Sequence, residues 1–242
     1  MRVLITGGAG FIGSAVARRF ITEGNDDILI FDNLNYAGNL DSLAAVTSSP
    51  HYRFVRGDIC DMNAVSKIFG DFRPDVVLHL AADSHVDRSI DKPAAFIQTN
   101  VVGTSVMLDC SLAHFRTLSA ASAARFRFIH ISTDEVFGSL GQTGFFTEHT
   151  PYAPNSPYSA SKAGMQAMAS CIRKEVRKHN IKICNIYPGA VETDMWDIKA
   201  RQQFRNRMMT PADIGDIAFD VYNKPERLMV EDLVVRPVKG DL

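Results

Sequence analysis

Residues 2–13 read Arg2-Val3-Leu4-Ile5-Thr6-Gly7-Gly8-Ala9-Gly10-Phe11-Ile12-Gly13, so an aliphatic run passes at once into a glycine-rich turn. The run is typical of a buried strand, and a helical pattern follows over residues 12–23. In such a turn, glycine permits a tight bend, a close approach of the backbone to a pyrophosphate and close packing of helix against strand. The helix amino terminus adds free N–H groups and partial positive charge. The motif predicts a dinucleotide site that includes Gly7, Gly10, Phe11, Ile12 and Gly13.

A second strand, residues 28–31, ends at Asp32, which lies 19 residues after Gly13. An acid at this place accepts hydrogen bonds from the adenosine ribose hydroxyls and repels a 2′-phosphate. We therefore predict NAD rather than NADP as the cofactor. Asn33 follows in the same loop and is included in the predicted site.

Two later loops fit the same site. After the third strand, Asp58 can meet the adenine amino group, or it can instead cap the helix that begins near Asp61. After the fourth strand, small side chains let the backbone lie against the cofactor. The predicted cofactor residues of these two loops are Asp58, Ile59, Ala81, Ala82 and Ser84.

The rest of the chain alternates short apolar runs with longer amphipathic stretches. Strands are predicted over residues 2–6, 28–31, 52–55, 76–80, 126–132, 181–187 and 228–235, and helices over 12–23, 62–69, 94–115, 158–179 and 211–223. Continuous apolar strands between helices indicate a parallel sheet covered on both faces. We predict one doubly wound Rossmann domain over residues 1–242, with strand order 3-2-1-4-5-6-7 and no separate substrate domain. Loops are expected over residues 33–49, 116–125 and 138–157.

Composition excludes several classes of protein. The chain has 242 residues, 46% of them hydrophobic, and a net charge of −1, so nothing favours nucleic acid as a partner. No apolar run is long enough to span a membrane, and the amino terminus lacks the apolar stretch of a signal peptide. The four cysteines show no metal-ligand spacing, which predicts free thiols, no metal site and a cytoplasmic location. They are Cys60, Cys110, Cys171 and Cys184.

A second group of polar residues points to proton chemistry. Tyr158 and Lys162 are four residues apart and share one helix face. A neighbouring ammonium lowers the phenol pKa from about 10, so the pair can move a proton to or from a carbinol. The alternative is an exposed helical pair. Thr133 follows the fifth strand and can hold a substrate oxygen. Asp134 and Glu135 can act as acid and base in eliminating water, or as a capping acid beside a solvated one.

Together these motifs resemble the short-chain dehydrogenase/reductase superfamily. Residues 1–164 resemble the dTDP-glucose 4,6-dehydratases of its extended branch, notably in the segments 32–39, 81–90, 99–104, 130–138 and 157–162. The resemblance implies that Tyr158, with Lys162 and Thr133, assists hydride transfer from sugar C4 to NAD. It also implies that Glu135 removes the C5 proton, that Asp134 protonates the departing C6 hydroxyl, and that hydride returns to C6.

The resemblance changes after residue 164. Residues 185–195 and the ending from residue 209 onward are similar to the compact branch of the superfamily. That similarity implies that the nicotinamide carboxamide is held by Pro188, Val191 and Thr193. Two branches therefore look joined near residues 160–166, and we hypothesise that the chain is a chimera.

The expected function is an NAD-dependent, dehydratase-like enzyme acting on a nucleotide sugar. Weak or no turnover is expected because a long sugar-nucleotide-binding region has no counterpart in the sequence. Two alternatives remain open: a small alcohol or ketone oxidoreductase, and an NAD-binding fold without useful catalysis. Residues 194–210 are the stretch from which a lid can form. A homodimer is predicted through the helices of residues 94–115 and 158–179.

Overall fold

A parallel sheet of seven strands forms the centre of the molecule in the computed structural model, which describes residues 1–139, 146, 149–176, 181–194 and 196–238. Neighbouring strands pair in the order β3-β2-β1-β4-β5-β6-β7, and every pair is parallel. The predicted fold class and strand order are thus confirmed. The strands are β1 (Arg2–Thr6), β2 (Asp27–Asp32), β3 (Tyr52–Arg56), β4 (Val76–His79), β5 (Arg127–Ile131), β6 (Lys182–Pro188) and β7 (Asp232–Val235).

Helices cover both faces of the sheet. The α-helices are α1 (Phe11–Glu23), α2 (Met62–Phe72), α3 (Val86–Asp91), α4 (Pro93–Phe96), α5 (Gly103–Phe115), α6 (Ala120–Arg125), α7 (Pro157–Val176), α8 (Ile198–Phe204) and α9 (Pro211–Tyr222). A π-helical turn (Ile97–Val102) joins α4 to α5. Short 3₁₀ helices span Leu40–Val46, Asp134–Phe137 and Arg205–Arg207.

Two hydrophobic cores lie on opposite faces of the sheet, because successive strand residues point to opposite sides. Val3 and Ile5 belong to the core under α1 and α9, whereas Leu4 belongs to the core under α2, α5 and α7. This alternation explains why β1, β2, β4, β5 and β6 read as continuous apolar runs, because each of these strands is buried on both faces. The edge strand β3 is largely exposed, and β7 is half-buried.

Several predicted elements differ from the structure. The single helix predicted over residues 94–115 is instead α4, the π-helical turn and α5. Within the loop predicted at residues 116–125, the Ser119 side chain accepts a hydrogen bond from the Ser122 N–H and caps α6, so a loop there was wrong. The last strand begins at Asp232 rather than at residue 228, because Leu228 N–H closes a turn on the Pro225 carbonyl. Residues 140–145, 147 and 148 of the predicted loop at 138–157 lie outside the described residues, as do residues 177–179 at the end of the predicted helix.

Candidate active site

A crevice of about 550 Å³ opens where β1 and β4 lie side by side and the chain winds away from them in opposite directions. Ligands of open α/β sheets bind at such switch points. Most of the predicted cofactor residues line this crevice. They are Gly7, Gly10, Phe11, Ile12, Gly13, Asp32, Asn33, Ile59, Ala81, Ala82, Ser84, Tyr158, Lys162 and Thr193.

The glycine turn is fixed by sterics. Gly7 has a φ of +69°, and a Cβ on it would lie 2.6 Å from the Ala81 nitrogen. A Cβ on Gly13 would lie 2.0 Å from the Gly7 carbonyl oxygen, so helix and turn can approach only if this residue is glycine. At the start of α1, Gly10 gives no side-chain cap and the first turn holds no acid. The N–H groups there remain suited to phosphate oxygens.

Asp32 is oriented by the backbone around it. Its carboxylate is buried and accepts hydrogen bonds from Ala9 N–H at 3.0 Å and Leu34 N–H at 2.8 Å. Asp32 lines the crevice, and its hydrogen bond with Ala9 places the acid beside the glycine turn although the two residues are 23 apart in sequence. The arrangement fits an adenosine ribose, whose hydroxyls would donate to the same carboxylate.

Asp58 differs from its predicted role. Its side chain accepts a hydrogen bond from Cys60 N–H at 2.8 Å, and it is not among the residues lining the crevice. It does not cap α2 either, because Asp61 accepts from the N–H groups of Asn63 and Ala64. Asp58 therefore shapes its own loop, and its neighbours Gly57 and Ile59 face the crevice instead.

A brace that the sequence did not reveal connects the loop after β4 to the start of α7. Asn100, in the π-helical turn, accepts from Asp83 N–H at 2.8 Å and donates to the Asp83 carbonyl at 2.9 Å. It also donates to the Ser161 hydroxyl at 2.8 Å. The Asp83 carboxylate accepts from Asn35 and Thr99. This brace holds the two walls of the crevice in register, and π-turns often occur at functional sites.

Other crevice residues were also missed. Tyr36, Ala37, Asn39, Ser42 and His85 line it, and the Arg88 guanidinium lies 4.0 Å from the centre of the Tyr36 ring. For all of these except Ser42, the only signal in the sequence was the similarity of residues 32–39 and 81–90 to a known family, because a loop shows no periodicity. Ser42 had no signal in the sequence.

Tyr158 and Lys162 are both buried and both line the crevice, so the exposed helical pair is excluded. Their electrostatics differ from the prediction. Burial raises the pKa of Tyr158, the Glu135 and Asp134 carboxylates raise it further, and a side-chain hydrogen bond with Thr133 opposes them. Burial lowers the pKa of Lys162 to about 7, and its Nζ donates to the Ile131 carbonyl at 3.1 Å. Lys162 therefore does not offset the effect of burial on the pKa of the tyrosine.

Thr133, Asp134 and Glu135 follow β5. They do not line the crevice themselves, but they lie near Tyr158, which does. The Thr133 hydroxyl accepts from Glu135 N–H at 3.3 Å at the start of the 3₁₀ helix. Burial raises the pKa of Asp134 to about 6, against the opposing effect of Arg236. Burial also raises the pKa of Glu135. Two neighbouring acids with raised pKa values beside a buried tyrosine form a group that can exchange protons with a substrate.

A row of polar side chains crosses the sheet beneath this group. Thr6, His79, His130, Asn185 and Asp232 occupy paired positions on five adjacent strands. His79 bonds the hydroxyls of Thr6 and Thr104, and His130 bonds the Asn185 amide oxygen. Burial, and then the Lys162 charge, lower the pKa of His79 to about 3 and that of His130 well below its usual value. Both rings are therefore neutral beneath Lys162.

The end of β6 contributes less to the crevice than predicted. Thr193 lines it, as does its neighbour Asp194, but Pro188 and Val191 do not. The Val191 carbonyl instead accepts from Trp196 Nε1 at 2.8 Å. Glu192 pairs with Arg201 and Arg205, which connects α8 and the 3₁₀ helix after it to the segment that follows β6. Residue 195, within the stretch predicted to supply a lid, lies outside the described residues.

Among the residues that the structure describes, no three His, Cys, Asp or Glu side chains are grouped to hold a metal ion. Over the same residues, no helix is long and apolar enough to cross a membrane. All four cysteines are free thiols.

Comparison with curated proteins finds relatives that match most of this chain. The dTDP-glucose 4,6-dehydratase of Shigella flexneri is 54% identical over 172 residues, which are 67% of this chain and 48% of the relative. That of Neisseria gonorrhoeae is 48% identical over 180 residues, 74% of this chain and 52% of the relative. The chain thus spans about half the length of these curated relatives.

Solved structures match nearly the whole chain at lower identity. A dTDP-glucose 4,6-dehydratase from Bacillus anthracis in complex with NAD is 27% identical, with a TM-score of 0.80 over 98% of this chain and 75% of that one. DesIV, a dTDP-glucose 4,6-dehydratase from Streptomyces venezuelae with NAD and TYD bound, is 31% identical, with a TM-score of 0.78 over 98% and 76% of the two chains.

The family itself follows from a direct match. The model of the GDP-mannose 4,6 dehydratase family matches residues 4–189. This range includes the glycine turn, Asp32, Thr133, Asp134, Glu135, Tyr158 and Lys162. These are the residues that build the crevice and the proton-exchanging group beside it. The chain belongs to the GDP-mannose 4,6 dehydratase family.

Proposed function

We propose that this chain binds NAD in the crevice and carries out, at its reacting end, the chemistry of a 4,6-dehydratase on a nucleotide sugar. The observation that carries the proposal is the hydrogen bond between Tyr158 and Thr133, with the carboxylates of Asp134 and Glu135 near enough to raise the pKa of the tyrosine. Because Tyr158 also lines the crevice together with Lys162, the proton-exchanging groups adjoin the place where a nicotinamide would lie.

The crevice fits NAD on its own geometry. Gly7, Gly10 and Gly13 leave room for a pyrophosphate at the start of α1, and Asp32 presents a carboxylate to the adenosine ribose. The same carboxylate opposes the 2′-phosphate of NADP. Bound NAD supplies the acceptor for hydride from the sugar and later the donor that returns it.

The residues divide the proton transfers among themselves. Tyr158, as the phenolate, would take the proton of the C4 hydroxyl as that carbon is oxidised, and Thr133 would hold the same oxygen. Because burial raises the pKa of Tyr158, this step needs the positive charges of bound NAD's nicotinamide and of Lys162 to favour the phenolate. Glu135 takes the C5 proton, and Asp134 gives a proton to the C6 oxygen, which leaves as water. A pKa of about 6 leaves about one tenth of Asp134 protonated at pH 7, so a proton donor is present near neutrality. Lys162, with a pKa of about 7, is protonated in about half of the molecules.

We expect turnover by this chain to be weak. Among the described crevice residues, only Thr193 and Asp194 come from beyond Lys162, so the chain offers few groups to hold the nucleotide end of a substrate. Binding energy from remote parts of a substrate lowers the barrier of the chemical step, so a poor grip costs turnover as well as affinity.

The proposal is tested by incubating the chain with NAD and dTDP-glucose and following loss of water from the sugar by mass spectrometry. We expect slow product formation that falls at least about 100-fold in Tyr158→Phe, Asp134→Asn and Glu135→Gln. The exposed acid of α5 supplies a matched control, Asp109→Asn, which is expected to keep the parent rate. Product formation that is equal in all variants would contradict the proposed roles.

Two other outcomes would favour the alternatives. Reduction of NAD by secondary alcohols, with no loss of water from the sugar, would indicate a small alcohol or ketone oxidoreductase. NAD binding with no turnover of either substrate class would indicate a binding fold without useful catalysis.

A homodimer belongs to the same proposal. Ile90, Ile97 and Val102 are 65%, 45% and 39% exposed on α3 and the π-helical turn, which pack against α7. Such an apolar surface suits a second copy of the chain, placed against the helices of residues 94–115 and 158–179. Light scattering is expected to give a dimer mass, and a monomer mass at micromolar concentration would contradict it.

The chimeric origin remains a proposal as well. Curated relatives match about two thirds to three quarters of the chain at 48–54% identity, and the family model ends at residue 189. The family model continues past residues 160–166, so a join there is supported only by the similarity of residues 185–195 and of the ending from residue 209 onward to the compact branch. A natural sequence that matches the chain from end to end at uniform identity would contradict it.

A further inference from the structure

Arg236 connects the segment after β7 to the proposed proton donor. Its side chain is 9% exposed, and its Nε lies 3.6 Å from Oδ2 of Asp134. The guanidinium also lies over the Phe146 ring, 4.8 Å from the ring centre. The residue comes from the part of the chain beyond residue 189, where the match to the family model ends.

The ion pair is well placed to act on Asp134, because both partners are largely withdrawn from water. Asp134 is 12% exposed, and charges interact strongly where solvent screening is weak. The contact with an aromatic face fixes the planar guanidinium from a second direction. A cation held on two sides can fix the carboxyl group that it contacts.

Several groups face the Asp134 carboxyl, and they act in opposite directions. Burial raises its pKa most, and Glu135, the neighbouring acid, raises it as well. Arg236 and the backbone N–H groups of Asp134 and Glu135 lower it. Tyr158 lies close enough to Asp134 for the carboxylate charge to raise the pKa of the tyrosine. Arg236 is the cation among these groups and the one that comes from a distant part of the sequence.

We propose that Arg236 is a positioning residue for the dehydration step: by its ion pair it fixes the orientation and the charge of Asp134, and so sets when this group can give a proton to the leaving oxygen. The role of Arg236 in dehydration rests on the proposed function. The effect of Arg236 on the charge and orientation of Asp134 does not depend on turnover. The segment after β7 thereby takes part in the chemistry of a proton-exchanging group whose other members, Thr133, Asp134, Glu135 and Tyr158, lie before β6.

The direction of the effect follows from the charges. A cation beside a carboxylate favours the ionised form, so removing it raises the pKa of the acid. Without Arg236, more of Asp134 carries a proton at neutral pH, and the pH at which the group loses its donor capacity moves upward.

The test is an NMR titration of Asp134 in protein labelled with ¹³C at the aspartate carboxyl carbons, with the resonance assigned through Asp134→Asn. Arg236→Met keeps a long apolar side chain without the charge, and we expect the titration midpoint to rise by about one pH unit or more. Arg236→Lys restores a charge and is expected to stay within about half a pH unit of the parent. If Arg236→Met does not fold, Arg236→Gln takes its place with the same expected rise.

Arg205→Met serves as the matched control, because Arg205 also pairs with a carboxylate, that of Glu192, but does not contact Asp134. Its titration midpoint for Asp134 is expected to equal that of the parent. An unchanged midpoint in folded Arg236→Met would overturn the inference, and so would equal shifts in the Met and Lys variants, which would exclude charge as the cause.

A second measurement separates this inference from the proposed function. The pH profile of dehydration in Arg236→Met should shift toward higher pH on the limb that reports the proton donor, with NAD affinity unchanged. If no variant or parent dehydrates the sugar but the NMR midpoint moves as expected, the proposed function fails while the effect of Arg236 on Asp134 stands. If dehydration occurs and its pH profile ignores Arg236, the positioning role is wrong.

Discussion

The cofactor end of the crevice and its reacting end are built on different physical grounds. At the cofactor end, Gly7 and Gly13 are fixed by contacts that leave no room for a side chain, and Asp32 is fixed by two backbone N–H groups. At the reacting end, burial displaces the pKa values of Tyr158, Lys162 and Asp134, and nearby charges also act on Tyr158 and Asp134. The first region depends on shape and the second on charge, so the two should respond to different perturbations.

The largest effect is expected where the reacting end is anchored. Arg173 on α7 pairs with Asp232 of β7 at 2.8 Å and donates to the carbonyls of Ile183 and Glu231. Arg173→Met leaves the Asp232 carboxylate without its buried cation, so the free energy of unfolding should fall by about 4 kcal/mol. Urea unfolding measures it. Adding Asp232→Asn to the same variant should recover part of the loss, because residue 232 then carries no unpaired charge.

A loss below about 1 kcal/mol in Arg173→Met would contradict this view of the anchor. The exposed pair of Lys67 and Asp71 on α2 supplies the comparison, and Lys67→Met should leave unfolding unchanged within error. Similar effects at both pairs would mean that burial does not strengthen the contact.

The next effect tests the shape of the cofactor end. Gly13→Ala places a Cβ against the Gly7 carbonyl oxygen, so the turn must shift; we expect a loss of about 3 kcal/mol in unfolding free energy and no measurable NAD binding. Gly70, inside α2, has no atom within 4 Å of an added Cβ. Gly70→Ala should therefore stabilise the protein by about 1 kcal/mol and keep NAD binding. Equal outcomes for the two variants would break the steric account.

A smaller effect tests the charges beneath the reacting end. In the unfolded chain His79 titrates near 6.5, whereas in the folded protein burial lowers its pKa to about 3. The unfolded chain thus binds the extra proton between these values, so stability is full above pH 6.5 and decreases as the pH falls through this window. Between pH 7 and pH 5, His79 should contribute a loss of about 2 kcal/mol.

Urea unfolding of the parent and of His79→Gln at both pH values measures this contribution as the difference between the two proteins. The variant should lose about 2 kcal/mol less than the parent between pH 7 and pH 5. The same loss in both would show that His79 does not carry the acid sensitivity.

The same division explains what could be predicted from the sequence. The buried strands could be predicted because burial on both faces requires a continuous run of apolar residues. The glycine turn could be predicted because its geometry requires several glycines close together in sequence. Asp32 followed because its place is set by the end of β2. Each of these signals lies within a few residues of the feature that it specifies.

Features that depend on distant contacts were missed or misplaced. Asn100 interrupts the predicted helix with bonds to Asp83 and Ser161, which lie 17 and 61 residues away. Arg236 reaches Asp134 across about a hundred residues, so no spacing rule reveals it. The pKa of Tyr158 was expected to fall on account of Lys162, but burial has the larger effect and can be seen only in the folded structure. The helix α6 is short, and its Ser119 cap was interpreted as part of a loop.

The most direct test of the central claim is a calorimetric titration of the chain with NAD and, separately, with NADP. We predict one NAD bound per chain, with NADP bound at least about tenfold more weakly because the buried carboxylate of Asp32 opposes its 2′-phosphate. Asp32→Asn should reduce the difference in affinity between NAD and NADP. Absence of NAD binding, or binding of NADP as tight as that of NAD, would contradict the account.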